Sequence, residues 1–177
     1  DVQGGATIMY CVAGRPDTNV MVASTGGYGF LTRLSDMVSS RKAGREFMTL
    51  EEGEKPAAPQ TYEEGSGKAV GAISENGRLL VFDIGEMRQV ARGRGVIIMG
   101  LEDGEKLVAA VVFDGKAIAV AGRGRGGKEK EIALSGEKSR PATRSNTCLP
   151  WTFAPVSQRV PSTTRGSTTY RMPLADS

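Results

Sequence analysis

The feature that most constrains this chain is that it writes one pattern twice. Residues 23–55 read ASTGGYGFLTRLSDMVSSRKAGREFMTLEEGEK, and residues 73–106 read ISENGRLLVFDIGEMRQVARGRGVIIMGLEDGEK. Ser24 returns as Ser74, Gly27 as Gly77, Phe30 as Leu80 and Met37 as Met87, an offset of 50. Past a basic loop the offset becomes 51: Gly44 returns as Gly95, Leu50 as Leu101, Gly53 as Gly104 and Lys55 as Lys106. One residue is inserted in the loop, and register holds on both sides of it. A period of this length marks a repeat architecture, in which each unit buries its apolar face against the next.

Each unit reads as short strands. TNVMVAST (18–25) and GYGFLTRL (27–34) flank a Gly-Gly turn, and KAVGAISE (68–75) and GRLLVFDI (77–84) flank Asn76-Gly77. Asn-Gly is a strong hairpin signal, because both central residues of a type I′ turn need positive φ. REFMTL (45–50) and GVIIMGL (95–101) each add a strand, and EEGEK and EDGEK turn the chain again. A third hairpin is expected over 106–122, folded at Asp114-Gly115. Apolar residues dominate most of these strands, as expected where both faces are buried between stacked blades. Helical signal is confined to single turns at 34–40 and 84–91, too short to stand alone.

The 177 residues suffice for one domain or a short array of units. There is no His, which removes the commonest general base and the commonest zinc ligand. Cys11 and Cys148 follow no metal or redox spacing. No apolar run approaches the roughly 18 residues of a membrane helix, so a cytoplasmic protein with no membrane partner is expected. The chain opens on Asp1 and not on Met, as a piece of a longer protein would. No nucleophile–base pair presents itself, so no catalytic residue, metal or cofactor is expected. The acidic residues Glu51, Glu52, Glu102 and Asp103 sit at turns and read as edge-strand solubility devices.

Charge is where function shows. Lys and Arg number 23 against 20 Asp and Glu, so the balance matters less than the clustering. The first unit carries Arg41, Lys42 and Arg45, and the second carries Arg92 and Arg94, each set punctuated by glycine. A third stretch, AGRGRGGKEKEIAL (121–134), carries Arg123, Arg125 and Lys128. The first two hold equivalent places in their units, so stacking should align them along one rim. A row of Arg and Lys of this kind is the footprint of phosphate-backbone binding. No aromatic residue lies inside the loops, which argues against single-strand stacking platforms. No recognition helix is available for base readout. The expected partner is duplex DNA, held by its backbone and bent along the rim. The plain alternative for any one loop is a solvated turn, and the alternative for the whole is a propeller-type protein-interaction module. GRGRGG (122–127) lacks the ending of a phosphate-binding P-loop and carries no weight as one.

The phrases MVASTGGYGFLTRLSDMVSSRKAGREFMTLEEGEKPAAP, GAISENGRLLVFDIGEMRQVARGRGVIIMGL and AIAVAGRGRGGKEKEIAL together resemble the C-terminal domain of the bacterial topoisomerase IV A subunits. The resemblance covers roughly residues 6–138 and implies an all-β fold, a partial β-pinwheel. In that propeller-like disc of four-stranded blades, neighbours exchange strands. It also implies a non-catalytic, DNA-bending region of an ATP-dependent type IIA topoisomerase that supports decatenation and relaxation. Its partners would be duplex DNA, a second A-type subunit and the ATPase B-type subunit, on the chromosome. The eight basic residues match the family's basic loops in successive blades. The sister family, the gyrase A subunits, is the alternative, but its wrapping motif Gln-Arg-Arg-Gly-Gly-Lys-Gly has no counterpart here. The expected division is a first blade over 1–60, a second over 61–110, a partial third over 111–138 and a tail over 139–177.

The tail reads differently. Pro, Ser, Thr and Arg replace the strand pattern, with Arg140, Arg144, Arg159, Arg165 and Arg171 against Asp176 alone. So little apolar content does not offset the entropy of ordering, and a disordered basic tail is expected. Its abrupt onset also fits translation out of frame.

Overall fold

The computed structural model describes residues 7–41, 44–123 and 129–135, with Thr169–Tyr170, and from Ala121 onward the backbone alone. The first unit opens with strands β1 (Asn19–Ala23) and β2 (Tyr28–Arg33), paired antiparallel with Val22 opposite Phe30. A single helical turn, α1 (Leu34–Met37), follows. Strand β3 (Gln60–Tyr62) then lies on the other side of β1. The second unit repeats the hairpin as β4 (Ala69–Ser74) and β5 (Leu79–Asp83), followed by one 3-10 turn at Ile84–Glu86. Strand β6 (Val96–Ile97) comes next, then β7 (Leu107–Phe113), β8 (Ala117–Arg123), β9 (Glu129–Ser135) and β10 (Thr169–Tyr170).

Three sheets result, with strand orders β3-β1-β2-β6, β5-β4-β7 and β10-β8-β9. The fourth strand of the first sheet, β6, belongs to the second unit. It crosses back to pair with Tyr28 and Gly29, while Val90 and Arg88 bond Leu31 from the same segment. This exchanged strand makes the two units one folded body: the fold is all-β, with neighbouring pinwheel blades sharing strands.

Two expected turns take another form. Ser74 donates its N–H to Arg78 O at 3.0 Å, and Gly77 donates to Ser74 O at 2.9 Å. These bonds close a three-residue loop over 75–77, with Gly77 left-handed at φ 79. A tight turn followed by one left-handed residue is the next commonest hairpin solution after the two-residue turn. The first unit repeats it, with Ser24 N–H on Tyr28 O at 2.8 Å and Gly27 at φ 82.

The third hairpin expected at Asp114-Gly115 does not form. Strand β7 pairs with β4, and β8 pairs with β9, so the turn at 114–116 hands the chain from one blade to the next. Asp114 Oδ1 accepts the Lys116 N–H at 2.9 Å, a local turn that needs no strand pairing. The reason lies in the faces. Val70 and Ala72 are fully buried, and β4 would lack a neighbour on one side unless β7 lay beside it. The antiparallel pair that follows is β8–β9, with Arg123 opposite Glu129.

The same logic fixes β3. Residues 56–62 stand where the second unit has 107–113, but they include Pro56 and Pro59. Proline has no N–H for a ladder and is tolerated at a sheet edge. The pairing accordingly shrinks to three residues plus an isolated bridge between Ser24 and Pro56. The second unit has the matching pair, Ser74 with Leu107, beyond a register shift.

Between the two blades lies the main core. Met21 and Leu31 of the first face Val70, Phe82 and Leu107 of the second, and Ile98 closes the gap from the exchanged segment. Burying each such side chain contributes roughly 1.5–3 kcal/mol relative to exposure. The alternate residues Val20, Val22 and Phe30 face the other way and pack with Met48. Both faces of the first hairpin are thus buried, as its near-continuous apolar sequence requires. Among the described residues no helix is long and apolar enough to cross a membrane. Of the expected tail, only Thr169–Tyr170 is among the described residues, paired parallel with β8 at Ala119 and Val120.

Candidate nucleic-acid interface

The basic loops follow from where the strands end. After β2 and α1 the chain must return along the blade edge, and it does so through 38–50; the second unit returns through 87–101. The two returns meet. Gly93 donates its N–H to Phe47 O at 2.9 Å and accepts from Thr49 N–H at 3.1 Å, a parallel bridge centred on Met48. Gly93 can curve this way because its φ is 130. Gly95 has φ 85 and lies against the backbone of Gly29, where any Cβ would run into the Gly29 carbonyl. Glycine at 95 is therefore required twice, by its conformation and by the close approach.

The loop residues do not all share one surface. Arg41, Arg45 and Arg92 are exposed. Arg45 Nη2 donates to the Asp36 carbonyl, which ties the loop back to α1. Arg92 stands one residue before Gly93, and Arg45 two before Phe47, so the parallel bridge brings the two loops onto a common edge. Lys42, Arg125 and Lys128 lie outside the described residues. Arg123 ends β8 opposite Glu129 of β9, at a strand end and not in a return loop like those at 38–50 and 87–101.

Arg94 behaves otherwise. The expectation for it is an outward phosphate contact, but its side chain is 29% exposed and turned back on the first unit. Its guanidinium carbon lies 3.8 Å from the centroid of the Tyr28 ring. Nη2 donates to Glu54 Oε1 at 3.1 Å, and Nη1 pairs with Glu51. Stacking and forked pairing together suit arginine's flat, delocalised charge.

The acidic turns are therefore structural. Glu54 Oε2 accepts the Glu51 N–H at 3.1 Å, and Glu105 Oε2 accepts the Glu102 N–H at 3.0 Å, so the last Glu of each turn closes it. Glu105 is buried and takes Arg78 Nε at 3.0 Å, with Arg78 Nη2 on its other oxygen. Arg78 Nη2 also reaches Gly100 O at 2.9 Å. Burial by itself would raise the Glu105 carboxyl. The Arg78 guanidinium, the Glu102 N–H and the Ser74 hydroxyl outweigh it and bring the group down to about 2.

Sequence reasoning missed Tyr28, Glu54, Arg78 and Glu105. Their signal was present in the repeat, since Glu54 and Glu105 are equivalent and both are followed by Lys. It also missed Arg33 and Arg88, both exposed. Arg33 ends β2, and the Arg88 carbonyl accepts the N–H of Leu31, two residues before Arg33. Among the described residues no group of three or more His, Cys, Asp or Glu is placed to hold a metal ion.

Repeated hairpins, an exchanged fourth strand and basic returns along one edge define a propeller-like repeat protein of the pinwheel kind. A family model described as DNA gyrase C-terminal domain, beta-propeller, matches residues 18–55 and 72–114. The A-type subunit of DNA topoisomerase 4 from Neisseria gonorrhoeae is 35% identical over 132 residues, covering 72% of this chain and 17% of that protein. The corresponding subunit from Escherichia coli K12 is 31% identical over 101 residues, covering 57% of this chain and 13% of that protein. The C-terminal domain of E. coli ParC has a TM-score of 0.66 at 25% identity, over 76% of this chain and 55% of that one. The chain belongs to the C-terminal β-pinwheel family of the A subunits of DNA topoisomerase IV and gyrase. It spans less than a fifth of the length of these two full-length relatives.

Proposed function

We propose that this chain is a non-catalytic DNA-binding and DNA-bending region of a topoisomerase IV A-type subunit, and that it engages duplex DNA along its basic edge. The reading is carried by one observation: the bridge at Gly93 and Met48 joins the basic returns of two successive units on the same side. Arg41, Arg45 and Arg92 are the phosphate contacts, and the exposed Arg33 and Arg88 add positive charge to the two units. Lys42, Arg123, Arg125 and Lys128 continue the series. Contacts spaced along a curved edge hold a duplex only if it bends, and the added contacts offset the cost of bending. In the whole enzyme this region serves decatenation and relaxation, beside a second A-type subunit and the ATPase B-type subunit, on the bacterial chromosome. The missing wrapping heptad favours this over a gyrase role.

The test is duplex binding by fluorescence anisotropy across a salt series. A phosphate-binding edge lowers log K by about 0.9 per contact for each unit of log salt. Arg41→Ala with Arg92→Ala should flatten that slope by nearly two contacts. An unchanged slope, with binding lost only on ending the chain at Lys138, refutes the edge as the binding surface.

A further inference from the structure

The guanidinium of Arg94 is held between the Tyr28 ring and two carboxylates of the first unit. We infer that Arg94 is a positioning residue: it clamps the second basic loop to the acidic turn of the first unit, and so sets where Arg92 stands relative to Arg45. The inference deepens the DNA-binding reading and rests on it.

Three observations carry it. Arg94 faces Glu51 and Glu54, two negative charges to its one, so a phosphate approaching that point meets net repulsion. The clamp also joins elements from different units. Tyr28 opens β2 of the first, Glu51 and Glu54 form its turn, and Arg94 arrives with the loop that leads into the exchanged strand β6. Finally, the immediate neighbours of Arg94 are glycines, which hold the loop only by backbone, through the Gly93 bonds to Phe47 and Thr49 and the contact of Gly95 with Gly29. Arg94 is thus the side-chain anchor between Arg92 and β6, and releasing it frees the loop to swing away from Arg45.

A direct phosphate contact and a clamp respond differently to substitution. Lysine serves as well as arginine for a point charge on a phosphate, but it neither stacks flat on a ring nor forks between two carboxylates. The full chain carrying Arg94→Lys should bind duplex DNA three- to ten-fold more weakly at fixed salt. It should also exchange the Gly93 and Thr49 amide hydrogens faster. The charge-neutral pair Arg94→Met with Glu54→Gln replaces the ionic clamp by an apolar contact on Tyr28, and it should recover most of the affinity with the salt slope of the unaltered chain. Wild-type affinity in Arg94→Lys, or affinity lost while those two amides stay protected, overturns the clamp. If the unaltered chain binds DNA without salt dependence, the DNA-binding reading itself falls. A flattened slope in Arg92→Ala together with full affinity in Arg94→Lys removes the clamp alone.

Discussion

Tyr28 stands where the second unit has Arg78, and the two acidic turns are neutralised differently because of it. Glu105 takes its guanidinium from Arg78 of its own unit. Glu54, its counterpart, has tyrosine at that place and takes its guanidinium from Arg94 of the next unit, stacked 3.8 Å over the tyrosine ring. One substitution in the repeat thus turns a bond within a blade into a bond between blades.

The Arg94–Tyr28 contact should register as a coupling between units. A double-mutant cycle of Arg94→Met and Tyr28→Leu, followed by urea unfolding, should give an interaction of about 1 kcal/mol, the range of a half-buried cation over an aromatic face. Additive losses would mean that the two side chains contribute independently.

The Arg78–Glu105 pair should be asymmetric to perturbation. Arg78→Ala leaves a buried carboxylate without its cation and should destabilise by roughly 3 kcal/mol. Replacing both, with Arg78→Met and Glu105→Leu, removes the uncompensated charge and should cost less than the single change, apart from the lost closure of the Glu102 turn. Urea midpoints of the three variants decide it; a double variant weaker than Arg78→Ala contradicts this asymmetry.

The same carboxyl sets an acid dependence. Its value is about 2 in the folded chain against 4.5 for the free side chain. A depressed carboxyl gives stability that is fully present above the unfolded value and is lost as pH falls through the folded one. Relative to Glu105→Gln, the unaltered chain should therefore lose up to about 3 kcal/mol between pH 5 and pH 2. Thermal unfolding of both chains at several pH values measures the difference, and parallel curves would assign the acid sensitivity to other groups.

Glycine substitutions should separate conformation from contact. Gly104 has φ 79 with nothing within 4 Å of where a methyl group would stand, so Gly104→Ala should cost only the strain of a left-handed residue, about 1 kcal/mol. Gly95 adds the contact with the Gly29 carbonyl, so Gly95→Ala should cost clearly more and weaken the pairing of β6. Equal losses at the two sites would show that the Gly29 backbone gives way without penalty.

Much of this fold is legible in the chain itself. The offset of 50 and then 51 announces the units, and the apolar runs announce strands buried on both faces. The single helical turns at Leu34–Met37 and Ile84–Glu86 fall inside the stretches read for them. The hairpin expected at Asp114-Gly115 fails, because a turn signal fixes where the chain bends and not which strands then pair. Partner choice depended on β4, which needed a neighbour from further along the chain.

The sequence by itself determined the repeat, the strands and the positions of charge, since these rest on local periodicity and composition. Tertiary structure alone decided which arginines face solvent. Arg92 and Arg94 are two residues apart in one loop, yet one is exposed and the other is held by Tyr28, Glu51 and Glu54. Those three come from a unit 40 and more residues earlier in the chain. Their meeting with Arg94 exists only because strand β6 crosses back to the first blade, so the decision rests on a contact that local sequence does not encode.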